Sequence, residues 1–240
     1  MNDAARLWAV VPAAGRGTRM GSELPKQYLA IAGRTILEHT LEALLAEPRI
    51  AAAVLVLAPD DAQGTALAAI YGERVRTALG GAERCHSVLN GLDALPARDH
   101  DWALVHDAAR PCLRLADLSH LIDELLDDPC GGILGVPVKD TLKRCGSDGR
   151  IAQTVDRNQL WQALTPQMFR VGALRAALRT ALMAGRMVTD EAQAMELAGH
   201  LPRMIEGHAD NLKITRPEDL AFAELSLRAR PIAKGTPTCA

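Results

Sequence analysis

The sequence is poor in features that mark several large classes of protein. Aromatic residues make up 3% of the 240 positions, so stacking platforms for single-stranded nucleic acid are not expected. The formal net charge of -2 gives no general attraction to nucleic acid or to an acidic membrane. No apolar run reaches the length of a transmembrane helix. We therefore expect binding to neither nucleic acid nor membrane.

The residues that usually build metal sites or nucleophiles also lack the necessary spacing. The five cysteines are widely spread and form no C-x-x-C pair, which argues against a disulfide scaffold or a zinc site. The seven histidines show no H-E-x-x-H pattern, and no G-x-S-x-G elbow indicates a serine nucleophile. Reduced thiols, and an N-terminus without the apolar stretch of a signal peptide, predict a cytoplasmic location.

The sequence does contain short apolar runs that alternate with amphipathic segments. The apolar runs, each predicted to be a buried strand, are Leu7 to Val11, Ala51 to Leu57, Trp102 to Val105 and Gly132 to Val136. The helical patterns are Ile36 to Leu45, Ala62 to Tyr71, Cys85 to Leu95 and Leu118 to Leu126. Strands that are apolar on both faces and alternate with helices predict an α/β fold, with a parallel sheet covered by helices on both faces.

Local signals refine the ends and the exceptions. T-x-x-E boxes at Thr35 to Glu38 and Thr215 to Glu218 predict two helix starts. Residues 137–155 are polar and basic around a Gly-Ser-Asp-Gly turn, which predicts a protruding β-arm that packs on a second subunit. We expect a single domain over residues 1–229, including this arm, and a disordered tail at residues 230–240.

The loop after the first strand carries the richest chemical signal. Small residues at positions 13 to 15, followed by Gly17, would let backbone N–H groups approach a polyphosphate. Arg19 and Lys26 would add cations that stabilise charge developing on phosphorus oxygens. The alternatives are a dinucleotide turn or a plain tight turn. A dinucleotide turn fits poorly, because Met20 stands where its third glycine would fall.

Other candidate residues follow later strands. Asp107 and Arg110 come after the third predicted strand and would share the crevice with the first loop. Asp107 could hold a metal or a hydroxyl group and Arg110 a phosphate, the alternative being a structural ion pair at a turn. The glycines at 80 and 81 precede a helix, where a plain junction is the simpler interpretation. Thr189 or Asp190 is expected to cap a helix.

Together these segments resemble the 2-C-methyl-D-erythritol 4-phosphate cytidylyltransferase family. The matching segments are PAAGRGTRM, LPKQY, GGAERCHSVLNGL, VHDAARP, VPVKDTLK, TVDRNQLWQALTPQMF, VTDEA and DNLKIT. They run in family order from Pro12 to Thr215. The resemblance implies a Rossmann-like nucleotidyltransferase fold, a mostly parallel twisted sheet, and an arm that forms a homodimer.

The resemblance also implies substrates and roles for particular residues. CTP and methylerythritol phosphate would be the substrates, with Mg²⁺ held mainly by the CTP phosphates and Asp107 as a further candidate ligand. The implied catalytic residues are Arg19, Lys26, Arg157 and Lys213, with Arg157 coming from the partner subunit. The implied nucleotide-binding residues are Pro12, Ala13, Ala14, Gly15, Gly17, Gly81, Ala82, Ser87, Asp107 and Ala108. The implied acceptor-binding residues are Asp107, Arg110, Thr141, Arg157, Thr165, Thr189 and Lys213.

The expected reaction is attack of the acceptor phosphate on the α-phosphorus of CTP. Ala82 stands where relatives often carry a polar residue beside the base, which leaves the source of cytosine selectivity open. The nearest alternative is another sugar-phosphate nucleotidyltransferase, such as a ribitol 5-phosphate cytidylyltransferase. A dinucleotide-dependent oxidoreductase, and a dimeric module that binds a nucleotide without turnover, are more distant alternatives.

Overall fold

A computed structural model of the chain describes residues 4–15 and 24–229. Within these residues the strands are β1 (Leu7–Pro12), β2 (Ala30–Ile31), β3 (Arg34–Thr35), β4 (Ile50–Leu57), β5 (Val75–Leu79), β6 (Trp102–Val105), β7 (Gly131–Pro137), β8 (Leu142–Cys145), β9 (Ile151–Val155), β10 (Trp161–Arg170) and β11 (Arg203–Glu206). The helices are α1 (Ile36–Leu45), α2 (Ala62–Ile70), α3 (Arg84–Ala94), α4 (Leu115–Leu125), α5 (Val171–Met183), α6 (Glu191–Leu197) and α7 (Pro217–Arg228). Short 3-10 turns lie at Lys26–Tyr28 and Gly72–Arg74.

A seven-stranded sheet organises the described residues, in the order β11-β7-β10-β6-β1-β4-β5. Neighbours pair in parallel except at β10, which runs antiparallel to both β6 and β7. Strands β1, β4 and β6 lie side by side, so the loops that follow β1 and β6 emerge at the same edge. The expected Rossmann-like α/β fold with a mostly parallel sheet is confirmed.

Side chains of β1 show how the sheet is covered on both faces. Leu7, Ala9 and Val11 join one buried cluster with α1, α2 and α4. Trp8 and Val10 join another with α3, α5 and α6. Successive side chains of a strand point to opposite faces, so a run that is apolar at every position needs helices above and below. The predicted two-sided cover is therefore present.

The predicted helix starts are confirmed in one case and wrong in the other. Thr35 Oγ1 accepts from the Glu38 N–H (3.1 Å), and the Glu38 carboxylate accepts from the Thr35 N–H (2.6 Å), as expected for a capping box. At α7 the partner is Asp219 rather than Glu218. Its carboxylate accepts from the N–H groups of Thr215 (2.8 Å) and Arg216 (2.9 Å), because the helix begins one residue later than the pattern predicts.

Strands β8 and β9 form the predicted hairpin. They pair antiparallel with Leu142 opposite Val155, and the turn is closed by the Gly146 N–H donating to the Arg150 carbonyl (2.9 Å). Every residue of the two strands is exposed except Val155, which is half-buried. Packing of this arm on a second subunit stays a prediction, as does the single domain. The predicted tail at residues 230–240 lies outside the described residues.

Candidate active site

A cleft of about 340 Å³ lies at the sheet edge where β1 and β6 end. Its walls come from the loop after β1, the 3-10 turn at Lys26, the loop before α3, the loop after β6, and a segment before α7. The lining residues are Pro12, Ala13, Ala14, Gly15, Lys26, Gln27, Gly81, Ala82, Glu83, Arg84, Ser87, Asp107, Ala108, Ala109 and Lys213. Ligand sites of open α/β sheets are expected in this place.

Backbone bonds fix the beginning of the loop after β1. The Ala13 N–H donates to the Val56 carbonyl (2.8 Å), and the Ala13 carbonyl accepts from Gln27 Nε2 (2.8 Å). This N–H therefore extends the sheet pairing beyond β1. Ala13 lines the cleft, and binding of phosphate by the backbone amides of this loop stays a prediction.

The loop before α3 is built around two glycines. A Cβ on Gly80 would lie 2.4 Å from the Ala14 Cβ, and a Cβ on Gly81 would lie 2.3 Å from the His86 Cβ. Ser87 Oγ accepts from the Gly81 N–H (3.0 Å) and donates to the Glu83 carbonyl (3.2 Å). The two loops therefore press together along one wall of the cleft, and the Ser87 hydroxyl holds that wall in place.

Asp107 is the electrostatic centre of the cleft. Its carboxylate lies 3.0 Å from Arg84 Nε, 2.9 Å from Lys213 Nζ and 3.4 Å from Arg110 Nε. Burial alone would raise the pKa of Asp107, but Arg84, Lys213 and Arg110 lower this pKa well below its usual range. The carboxylate is therefore ionised, and it orients cations rather than accepting protons.

Arg84 connects this cluster to a fully buried carboxylate. Its guanidinium donates to both oxygens of Glu191, Nη1 to Oε1 at 2.6 Å and Nη2 to Oε2 at 3.1 Å. Burial raises the pKa of Glu191 while Arg84 lowers it, and the geometry is that of a bidentate ion pair. Arg84 thus bridges Glu191 and Asp107.

A hydrogen-bonded chain lies beneath Asp107. The Asp107 N–H donates to Thr165 Oγ1 (3.1 Å), which lies 2.8 Å from His106 Nδ1, and His106 Nε2 lies 3.1 Å from the Arg110 carbonyl. Because a carbonyl only accepts, Nε2 carries the proton and Nδ1 accepts from the threonine hydroxyl. Burial lowers the pKa of His106 to about 4, so the ring is neutral near pH 7.

The segment around Lys213 is fastened to the loop after β6 and to Lys26. Arg110 Nη1 donates to the Asn211 carbonyl (2.8 Å), and the Ile214 N–H donates to the Ala109 carbonyl (2.9 Å). Lys26 Nζ donates to the Ile214 carbonyl (3.1 Å). Lys26 and Lys213, 187 positions apart in sequence, therefore line the same cleft, and the bond from Lys26 to Ile214 holds them side by side.

The other predicted site residues fall into distinct places. Arg110 and Thr165 are buried beneath the cleft. Thr141, Arg157 and Thr189 are exposed and do not line it; Arg157 donates to the Lys139 carbonyl, and Thr189 Oγ1 to Gln193 (3.2 Å). Gly17 and Arg19 lie outside the described residues. The roles implied for all these residues stay predictions.

Asp107 fits poorly as a ligand for a divalent cation. Its carboxylate already faces three cationic side chains, and residues 4–15 and 24–229 hold no group of three His, Cys, Asp or Glu side chains arranged for a metal ion. A cation associated with the triphosphate itself stays a prediction.

Residues 4–15 and 24–229 include no helix of the length and hydrophobicity needed to cross a bilayer.

Sequence reasoning missed three residues that shape the cleft: Arg84, Glu191 and Gln27. Arg84 and Glu191 both lie in motifs that carried the family resemblance, but at positions that received no role. A charged residue at a helix start is usually solvated, and only burial marks these two as different. Gln27 also lies in a matching segment, LPKQY, but its partner is a backbone carbonyl, which no residue pattern reveals.

The α/β sheet with a cationic cleft at the ends of its parallel strands defines a Rossmann-like nucleotidyltransferase. The model of the 2-C-methyl-D-erythritol 4-phosphate cytidylyltransferase family matches residues 7–229, and the chain belongs to this family.

Individual relatives agree with this assignment. A protein of Ectopseudomonas mendocina named 2-C-methyl-D-erythritol 4-phosphate cytidylyltransferase is 59% identical over 220 residues, covering 90% of this chain and 94% of its own. A Pseudomonas aeruginosa protein of the same name is 54% identical, with coverages of 91% and 95%. The crystal structure of the Thermus thermophilus protein of that name is 30% identical, with a TM-score of 0.78 and coverages of 93% and 99%.

Proposed function

We propose that this enzyme transfers CMP from CTP to 2-C-methyl-D-erythritol 4-phosphate, giving 4-diphosphocytidyl-2-C-methyl-D-erythritol and pyrophosphate. Membership of the family and the names of relatives that match about nine-tenths of the chain support the choice of substrates. The observation that carries the chemistry is the convergence of Lys26, Lys213 and the Asp107 cluster on one cleft.

The reaction joins two anions, so charge neutralisation is its main requirement. An oxygen of the acceptor phosphate forms a bond to the α-phosphorus of CTP while the bond from that phosphorus to the bridging β-oxygen breaks. The electron pair leaves with pyrophosphate, and no general base is needed because the attacking phosphate is already ionised. Lys26, Lys213 and Arg19 would offset the repulsion and stabilise the pentacoordinate transition state.

Magnesium would enter the cleft bound to the nucleotide. The cations around Asp107 leave no carboxylate cage for a metal among the residues that the structure describes. A divalent ion would therefore be held by phosphate oxygens, and the side chains would supply the remaining positive charge. Chelation of the metal is expected to abolish turnover.

A second subunit completes the proposed site. Arg157 is exposed and does not line the cleft, as expected if it acts on the acceptor in the neighbouring protomer of an arm-linked homodimer. Thr141 and Thr189 are proposed to bind the acceptor as well. The single-domain organisation and the cytoplasmic location belong to the same proposal. They rest on the span of the family model and on the cysteine pattern of the sequence.

A pyrophosphate-release assay tests the proposed substrates. Purified enzyme with Mg²⁺ is given CTP, UTP or GTP together with methylerythritol 4-phosphate or ribitol 5-phosphate. We expect rapid release only with CTP and methylerythritol phosphate, and the coupled product identified by mass spectrometry. Faster turnover of ribitol 5-phosphate, or equal rates with UTP, would contradict the proposal. Slow hydrolysis of CTP without any coupled product would also contradict it.

A further inference from the structure

Four charged side chains form a continuous chain from the protein interior to the cleft. Glu191 is bound through both oxygens by Arg84, Arg84 Nε reaches Asp107 Oδ1 at 3.0 Å, and Asp107 Oδ2 reaches Lys213 Nζ at 2.9 Å. The exposed fraction of the side chain is 1% at Glu191, 27% at Arg84, 9% at Asp107 and 38% at Lys213. The buried end is therefore fixed, and the lysine is the end that substrate can reach.

The buried end is held by more than the ion pair. Glu191 is the first residue of α6, whose start is fastened by Gln167 of β10: Gln167 Oε1 accepts from the Ala192 N–H (2.8 Å), and Nε2 donates to Asp190 Oδ2 (3.0 Å). A guanidinium bound on both Nη atoms by one carboxylate cannot rotate. Its Nε–H therefore points in one direction, toward Asp107.

We infer that Arg84, fixed by Glu191, is a positioning residue that holds Asp107 so that Lys213 is presented to the attacking phosphate. The inference rests on the proposed function and deepens it. Arg84 also lines the cleft, yet Glu191 and Asp107 already neutralise its charge. The phosphates are thereby left to the lysines, and Arg84 acts through Asp107 rather than on the substrate.

A second ion pair of the same kind supplies a matched control. Arg49 contacts both oxygens of Glu47, Nε to Oε1 at 2.7 Å and Nη2 to Oε2 at 3.0 Å, and Glu47 is also buried. Neither residue lines the cleft. Removing this pair therefore reports what the loss of a buried Arg–Glu pair does to the protein in general.

The test removes both charges of each pair together. Removing Arg84 alone would leave the Glu191 carboxylate buried without its ion-pair partner, which destabilises a protein strongly, whereas replacing both partners usually costs little. In Arg84→Gln with Glu191→Gln we expect an unfolding midpoint close to that of the Arg49→Gln with Glu47→Gln control. We expect kcat/KM for the acceptor to fall at least tenfold only at the site pair, while the Kd for CTP alone changes less than threefold in both proteins.

A double-mutant cycle distinguishes positioning from direct contact with substrate. If Arg84 acts through Asp107, the same two substitutions placed in an Asp107→Asn background should lower kcat/KM by less than threefold further. A further tenfold loss there would overturn the inference. Wild-type kcat/KM in the stable Arg84→Gln with Glu191→Gln protein would overturn it as well.

Lysine reactivity gives a readout that does not depend on turnover. Reductive methylation of Lys213, followed by peptide mass spectrometry, should proceed at least three times faster in the site pair than in wild type, and unchanged in the control pair. The same direction is expected for Arg84→Lys, which keeps the charge but cannot contact Glu191 and Asp107 together. Unchanged Lys213 reactivity would refute the positioning role, whereas an inactive wild-type enzyme would refute only the proposed substrates.

Discussion

The cleft and the arm differ in burial and in the contacts that stabilise them. Around Asp107, side chains from the loop after β6, the start of α3 and the segment before α7 are held together by charge-assisted bonds in a largely buried place. In the hairpin of β8 and β9, nearly every residue is exposed and the contacts are mainly backbone pairing. Family resemblance assigns site residues to both regions.

This difference shows which part of the site one chain can organise alone. Cationic groups stabilise a phosphate transition state best when they are held in place before the substrate arrives. In the cleft, residues of one subunit alone hold them in place. A two-stranded ribbon has no core of its own and gains rigidity by packing on something else. We therefore expect substitutions in the cleft to act on chemistry directly, and substitutions in the arm to act through assembly.

The largest expected effect comes from removing a cleft lysine. Lys26→Ala should lower kcat by about 10²–10³, because one lost transition-state contact typically costs about 3–4 kcal/mol. Arg19→Ala is expected to behave alike. Steady-state pyrophosphate release measures the effect, and circular dichroism checks the fold.

Arg76→Ala is the control for general loss of positive charge, since Arg76 is exposed on the outer strand β5 and does not line the cleft. It should retain nearly the wild-type kcat. Equal losses in Lys26→Ala and Arg76→Ala would erase the proposed distinction between the cleft and the surface.

The next largest effect tests whether the arm serves the neighbouring cleft. Arg157→Ala and Lys26→Ala homodimers should both be nearly inactive. In a purified heterodimer of the two, one site combines an intact Lys26 with an intact Arg157 from the other subunit, so about half of the wild-type kcat should return. Differently tagged subunits allow this species to be isolated. No recovery in verified heterodimers would show that the arm does not complete a shared site.

A moderate effect of pH on the free energy of unfolding is expected from His106, which is buried beneath the cleft. Burial lowers the pKa of His106 to about 4, whereas a histidine in the unfolded chain titrates near about 6.5. The unfolded chain therefore binds the proton first as pH falls from about 6.5 to about 4, and about 3 kcal/mol of stability is lost over this window. Urea unfolding at several pH values should show that His106→Gln removes this part of the loss. Equal pH slopes in the two proteins would contradict the assigned burial effect.

The smallest effect compares the same backbone strain inside and outside the arm. Gly149 in the arm turn has φ +77°, and Gly185 after α5 has φ +67°; a Cβ at either would meet no atom within 4 Å. Alanine at such a φ costs about 1 kcal/mol. We expect Gly149→Ala to raise the dimer dissociation constant about fivefold, and Gly185→Ala to lower the free energy of unfolding instead. The reverse pattern in sedimentation and urea experiments would count against the arm as the dimer contact.

The elements that position the cleft were predictable because their patterns are local. Helix α1 was predicted from Ile36 to Leu45 and has those bounds, and β6 likewise has its predicted bounds. The amphipathic period of the helix and the continuous apolar run of the strand are both local patterns. Strand β10 was not predicted as a strand, because Pro166 lies in its middle, where its pairing with β7 shifts register. Strand β5 was missed because its residues are mostly exposed.

The candidate site was predictable only in part, for a physical reason. Motifs after strands identified Lys26 and Asp107, because strand ends at one sheet edge converge. Lys213 was identified only by the family resemblance. The bonds between them could not be read from the chain. Arg84 and Glu191 are 107 positions apart. Their burial and the balance of their charges arise only in the folded state and cannot be read from either motif.

Strand β10 has a mechanical consequence for how subunits and catalysis are linked. Its first residues, beginning at Trp161, are exposed and pair with Pro137 at the root of the hairpin, while its later residues run between β6 and β7 in the interior. At roughly 3.3 Å per residue, Thr165 lies only about 13 Å along this rod from Trp161. A displacement of the hairpin would therefore be transmitted along β10, through the register shift between Ala163 and Gln167, to the Thr165 hydroxyl that accepts from the Asp107 N–H.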